Sequence, residues 1–232
     1  MTAFSNEVVS RTRAALEPAR DPQRAVAMAA YMRDHFPFLG IPTTPRRRLQ
    51  RAAWKPLPKP TFRADVLTIA DQFWALPERE YQYAGLEYLG AHGGLLDSSS
   101  FPRIERLITT KSWWDTVDVL CRHAAGALVR RDPALREEID RWLASDDIWL
   151  VRSAILHQER WGADIDVDWV FAACLQRGGD AEFFIRKAIG WVLRTIARRS
   201  PQDAAAVRAF LAAHDRELSP LSKREALVRV KH

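Results

Sequence analysis

Leu150-Val-Arg-Ser-Ala-Ile155 returns as Phe184-Ile-Arg-Lys-Ala-Ile189, an offset of 34 residues (150 to 184) that keeps the apolar, basic and small positions in register. Within each copy the apolar residues fall at i, i+1, i+4 and i+5, which is one face of an α-helix and not the alternation of a strand. Small residues recur more widely: Ala84, Ala154, Ala188 and Ala226 hold similar places in four helices, at gaps of 70, 34 and 38. A period of roughly 35–40 residues with two helices per unit is the signature of an α-solenoid. The expected fold is therefore all-α, a HEAT-like α-α superhelix of about six helical pairs. Its concave basic groove would be lined by the second helix of each pair. An ordinary helical bundle is the alternative, because four matching alanines make a weak repeat.

The rest of the chain agrees with this reading. Period-3.6 apolar patterns cover almost every segment, including 22–35, 45–54, 113–130, 148–161 and 201–213, and no alternating run suggests a sheet. Asp21-Pro22, Thr44-Pro45, Asp132-Pro133, Ser200-Pro201 and Ser219-Pro220 each place a capping side chain before a proline suited to the first helical position. The Pro-rich Lys55-Pro-Leu-Pro-Lys-Pro60 and the Gly/Ser-rich 92–100 read as loops. A single domain over 1–232 is expected.

Composition narrows the function. Hydrophobic residues make up 47% of the 232, so the chain is globular. The two cysteines, Cys121 and Cys174, lie on apolar helical faces with no CxxC pattern, and the histidines show no ligand spacing, so neither a disulfide framework nor a metal is expected. No stretch has the pattern of a leader or the length of a membrane span, which points to the cytoplasm. Net charge is +6, carried mostly by Arg, and nine tryptophans accompany it. Arg forks onto phosphate and stacks on flat rings, so this balance points to nucleic acid. High-GC codon usage would explain much of the Arg but not the Trp.

Lys111-Ser-Trp-Trp-Asp-Thr-Val-Asp118 concentrates the candidate chemistry. Ser112 reads as a helix N-cap and Asp115 as its capping-box partner. That leaves Asp118 without a structural role, one turn after Trp114 on the same face, and the expectation is that no cationic residue three or four positions away pairs with it. A carboxylate beside an indole suits a cation; the plain alternative is a solvated Asp next to a core Trp.

Several long stretches bear a family resemblance: Tyr31-Met-Arg-Asp-His-Phe-Pro-Phe-Leu-Gly-Ile41, Thr110-Lys-Ser-Trp-Trp-Asp-Thr-Val-Asp118, the segment from Ala144 to Leu150 with Arg152, and Lys187-Ala-Ile-Gly-Trp-Val-Leu-Arg194. On these, the chain resembles the AlkD-like DNA glycosylases, HEAT-repeat enzymes of DNA alkylation repair, from about residue 22 to 230. Two features depart from the family pattern, the Pro-rich loop near residue 56 and an expected C-terminus soon after the Lys-Arg-Glu-Ala helix. The resemblance implies a catalytic Asp at Asp118, sugar-cradling tryptophans at Trp114 and Trp191, and a DNA-contacting arginine at Arg152. It also implies action on the sugar without a base pocket.

The expected activity is a monofunctional glycosylase that releases cationic N-alkylated purines such as 3-methyladenine and 7-methylguanine from duplex DNA, without a cofactor. An alkylated base is already cationic and leaves neutral, so one carboxylate can suffice. Expected phosphate contacts are Arg152, Arg194, Lys111 and Lys187, with Arg46 and Arg47 (and Arg48) near a helix start. Tyr31 is a further candidate, and for Phe183 and Phe184 core packing is the stronger reading. The rival from another class is a non-catalytic HEAT-repeat protein that binds DNA structures or a protein partner. A monomer is the default.

Overall fold

The structure is a computed structural model that describes residues 2–230; Met1, Lys231 and His232, the ends of the expected 1–232 span, lie outside the described residues. Among the described residues there is helix and no strand, as expected for an all-α chain. The chain divides between Lys111 and Ser112 into two compact units.

The first unit holds α1 (Ala3–Leu16), α2 (Pro22–Tyr31), α3 (Thr43–Trp54), α4 (Arg63–Ala75), α5 (Arg79–Ala91) and α6 (Phe101–Thr109). Helix α1 packs on α3 and α4, and α4 packs on α5. Phe73, Ile69, Tyr81 and Ala84 fill the core between them, each at 1% exposure or less. Glu80 is fully buried and its carboxylate accepts from the backbone N–H groups of Leu39 (2.9 Å), Gly40 (2.9 Å) and Ile41 (3.1 Å). That fixes the 38–41 turn, where Gly40 has φ +88 and a Cβ would lie 2.1 Å from the Asp21 carbonyl.

The second unit begins with α7 (Trp114–Leu120), which runs through a π turn at Cys121–Ala125 into α8 (Gly126–Arg131). It continues with α9 (Arg136–Leu143), α10 (Ile148–Leu156), α11 (Val167–Gln176), α12 (Phe183–Ala197), α13 (Pro201–Ala213) and α14 (Pro220–Leu227). Helix α10 packs on α7, α9 and α12, and α12 on α14. Two glycines permit close crossings. A Cβ at Gly126 would lie 2.0 Å from the His157 carbonyl, and one at Gly190 would lie 2.5 Å from Glu225 Cβ.

The sequence period reappears as contacts one repeat apart within each unit. In the first, Arg63 pairs with Asp97 and Arg103 with Asp71, while Trp74 Nε1 donates to the Leu107 carbonyl at 3.2 Å. In the second, Trp161 Nε1 donates to the Gly126 carbonyl at 3.2 Å and Ser222 Oγ to the Arg186 carbonyl at 2.9 Å. The recurring alanines Ala84, Ala154, Ala188 and Ala226 are all fully buried, which is where a small residue lets adjacent helices approach.

The capping side chains behave as expected at Asp21, Asp132, Ser200 and Ser219, each accepting a first-turn N–H. Thr44 does not. Helix α3 starts earlier, at Thr43, with Pro42 as a backbone N-cap. Helix α2 stops at Tyr31 rather than running to 35, because Arg33 and Asp34 take left-handed φ of 55 and 58. The continuous helix expected over 113–130 is interrupted by the π turn, whose added backbone length precedes the tight crossing at Gly126.

Candidate active site

Local sequence sets the start of α7 differently from the capping box expected of Ser112 and Asp115. Lys111 has φ +51, and Trp113 follows in extended conformation (φ −160, ψ 158). Trp113 is the N-cap, by backbone alone: its carbonyl accepts from the Thr116 N–H (3.2 Å) and the Val117 N–H (3.0 Å). Asp115 stays in the first turn, where a carboxylate suits the helix dipole. One turn after Trp114, Asp118 points inward and is 2% exposed.

The carboxylate of Asp118 is met by a cation from α10. Arg152 Nε donates to Oδ1 at 2.7 Å and Nη2 to Oδ2 at 2.8 Å, a two-pronged pair that fixes the carboxylate's orientation. Arg152 is itself 3% exposed, and its Nη1 donates to the Phe184 carbonyl on α12 at 2.6 Å. Three helices of the second unit are thus tied at one point. The cap of α10 supports this, since Asp147 Oδ1 accepts from Trp149 N–H (2.8 Å) and Leu150 N–H (3.3 Å).

Aromatic rings wall the pair. Trp113, Trp149 and Phe184 form a closed triangle with centroids 4.9–5.5 Å apart, and the Arg152 guanidinium lies 5.9 Å from the Phe184 ring. Asp118 and Arg152 are both nearly fully buried, and that low-dielectric setting strengthens the electrostatics of the pair. On the other side Arg122, four residues after Asp118, donates from Nε to the Asp118 carbonyl (2.6 Å), not to its carboxylate. The same guanidinium lies 5.2 Å from the Trp191 ring and 3.5 Å from Glu159. Trp191, half-buried on α12, is therefore tied to the helix turn that carries Asp118.

A half-buried indole on each of α7 and α12 accompanies a buried, doubly bonded carboxylate, which is an arrangement for meeting positive charge. The model of the family described as DNA alkylation repair enzyme matches residues 12–230. The chain belongs to that family. The solved structure of a predicted DNA alkylation repair enzyme from Enterococcus faecalis superposes with a TM-score of 0.75 at 26% identity, covering 89% of this chain and 94% of that one. No curated protein matches.

In this member of the DNA alkylation repair enzyme family, several basic residues expected at a DNA surface are engaged within the protein. Arg152 has its donors on Asp118 and Phe184, so a phosphate contact is not what it presents. Arg46 is 3% exposed and spans Gln50 and Glu87. Arg47 shares Glu87 at 2.8 Å but remains half-exposed. Lys187 and Arg194 both pair with Glu225, at 2.9 and 3.2 Å. Lys111 Nζ donates to the Leu76 carbonyl at 2.6 Å, and burial lowers its pKa, with Arg79 adding to the effect. Tyr31 is exposed, as is Phe183.

Sequence reading missed Arg122, Trp113, Trp149 and Glu159. Arg122 had a readable signal, its i+4 spacing from Asp118. The aromatic triangle had none, because its members come from three helices.

Proposed function

We propose that this protein is a monofunctional DNA glycosylase for cationic N-alkylated purines such as 3-methyladenine and 7-methylguanine in duplex DNA. The observation that carries the reading is Asp118, a buried carboxylate pinned by Arg152, flanked by Trp114 one turn earlier and by Trp191 through Arg122. The C1′–N bond breaks with both electrons going to the base, which starts positively charged and departs neutral. Positive charge then sits on the deoxyribose, where the carboxylate and the electron-rich indole faces stabilise it. A water oxygen adds to C1′ and gives up a proton, with Asp118 as acceptor. No acid is needed for the leaving group.

Arg152 takes the role of positioning residue in this reading. It holds the carboxylate plane while leaving each oxygen a further lone pair for water. Arg47, Arg194 and Lys187, which keep partial exposure, are the basic residues assigned to phosphate.

The test is release of free base from methylated duplex DNA by the wild type and by Asp118→Asn. Release above the spontaneous rate, lost in the folded variant, supports the assignment. No release by the folded wild type would leave a DNA-binding scaffold in its place. Because Asp118→Asn strands Arg152, Trp114→Phe and Trp191→Phe serve as second variants that leave the ion pair intact.

A further inference from the structure

A charged cavity lies in the first unit, apart from the residues used above. It encloses about 270 Å³ where the C-terminal end of α3 meets the Pro-rich loop and the end of α5. Arg51, Lys55 and Lys59 supply the charge, and Trp54, Tyr88 and His92 supply flat rings. The rings touch in series, Trp54 to Tyr88 at 5.2 Å edge-on and Tyr88 to His92 at 4.6 Å. Trp54 is anchored from behind by its Nε1, which donates to Thr12 Oγ1 at 2.8 Å.

The charge is in excess. No carboxylate lines the cavity, and among the described residues Arg51, Lys55 and Lys59 show no ion pair, although Arg46, Arg63 and Arg103 in the same unit are matched by Glu87, Asp97 and Asp71. Basic residues at helix ends commonly just offset the dipole, and two such ends carry together about one unit of negative charge. Three cations exceed that by roughly two units, about the charge of a phosphate monoester. Lys59 acts on His92, whose pKa burial and then this lysine lower, so the loop charge does reach the ring wall. Asp65 acts on Tyr88 from outside the lining and accepts from Thr2 Oγ1 at 3.0 Å.

We propose that this cavity binds a phosphate-bearing nucleotide, its phosphate between Arg51, Lys55 and Lys59 and its base against the Trp54–Tyr88–His92 wall. The cavity is smaller than the roughly 300–1,000 Å³ of drug-sized sites, which suits one nucleotide and excludes a duplex. Base stacking on aromatics and charge-assisted phosphate bonds are the two terms by which unpaired nucleic acid is held.

The Trp54 indole N–H signal, assigned by its loss in Trp54→Phe, reports on the site in the full-length protein. Thymidine monophosphate, inorganic phosphate and a tetrathymidylate strand are titrated separately. Saturable shifts with thymidine monophosphate or the strand are expected, and whichever binds tighter tells a free nucleotide from a strand segment. The triple change Arg51→Gln, Lys55→Gln, Lys59→Gln should weaken binding about tenfold or more. Removing three cations elsewhere (Arg160→Gln, Arg216→Gln, Arg224→Gln) should not. Inorganic phosphate saturating the signal as tightly as the nucleotide, an equal loss in the control, or no saturable shift with any probe would overturn the proposal.

Discussion

Asp118 and Arg152 stand 34 residues apart in sequence and meet through two bonds of 2.7 and 2.8 Å at a point where neither residue is more than 3% exposed. The 34-residue spacing that recurs in the second unit also brings the cation to the carboxylate. Breaking a buried pair by removing one partner costs about 3–5 kcal/mol, while removing both with apolar replacements is often neutral. Asp118→Ala should therefore lower the melting temperature markedly, and Asp118→Leu combined with Arg152→Met should recover most of the loss. If the proposed role is right, base release stays down by about 10²-fold or more in both variants. Thermal melts and base release, measured on the same preparations, separate the structural from the catalytic contribution.

Arg122 links the Asp118 carbonyl to the Trp191 ring. Arg122→Met keeps most of the packing length and removes the bonds to Asp118 and Glu159. Base release should fall by about tenfold, with a loss in stability of only about 1 kcal/mol. A variant with unchanged release would mean that Trp191 needs no such tether.

Glu80 satisfies three backbone N–H groups in the first unit. In Glu80→Ala all three are buried without a partner, at about 1–3 kcal/mol each. Denaturation should show a loss of several kcal/mol. Hydrogen exchange at Leu39, Gly40 and Ile41 should accelerate selectively.

Gly190 and Gly94 make a matched comparison. A Cβ at Gly190 meets Glu225 Cβ at 2.5 Å and the Ser222 carbonyl at 2.7 Å, whereas one at Gly94 meets nothing within 4 Å. Gly190→Ala should cost about 1–3 kcal/mol by overpacking. Gly94→Ala should leave the melting temperature unchanged or slightly raised.

His157 is fully buried and lies perpendicular to the rings of Trp161 and Trp169, and burial lowers its pKa from 6.5 to about 3. The unfolded chain takes up a proton below pH 6.5, whereas the folded chain does so only near pH 3. Stability from this group is thus fully present above 6.5 and drains away as pH falls towards 3. Melting temperature against pH between 6.5 and 5 should be flatter in His157→Leu than in the wild type. His92 and His123, lowered mainly by burial, contribute slope of the same sign in both proteins.

Sequence by itself determined the helical class, the repeat and most helix boundaries, because these depend on local periodicity and on caps such as Asp21, Ser200 and Ser219. Its resemblance to the family also marked Trp114, Asp118 and Trp191 as candidates, through motifs that are local in sequence. Only the tertiary structure decided what those side chains face. The Asp118 carboxylate takes its partner from α10, Arg152 spends its donors inward, and Arg46 is buried, because pairing across helices depends on which faces meet. The aromatic triangle around the ion pair and the basic cavity beside Trp54 have the same origin. Each gathers residues from separate elements, and a one-dimensional period carries the spacing of those elements but not the angles at which they pack.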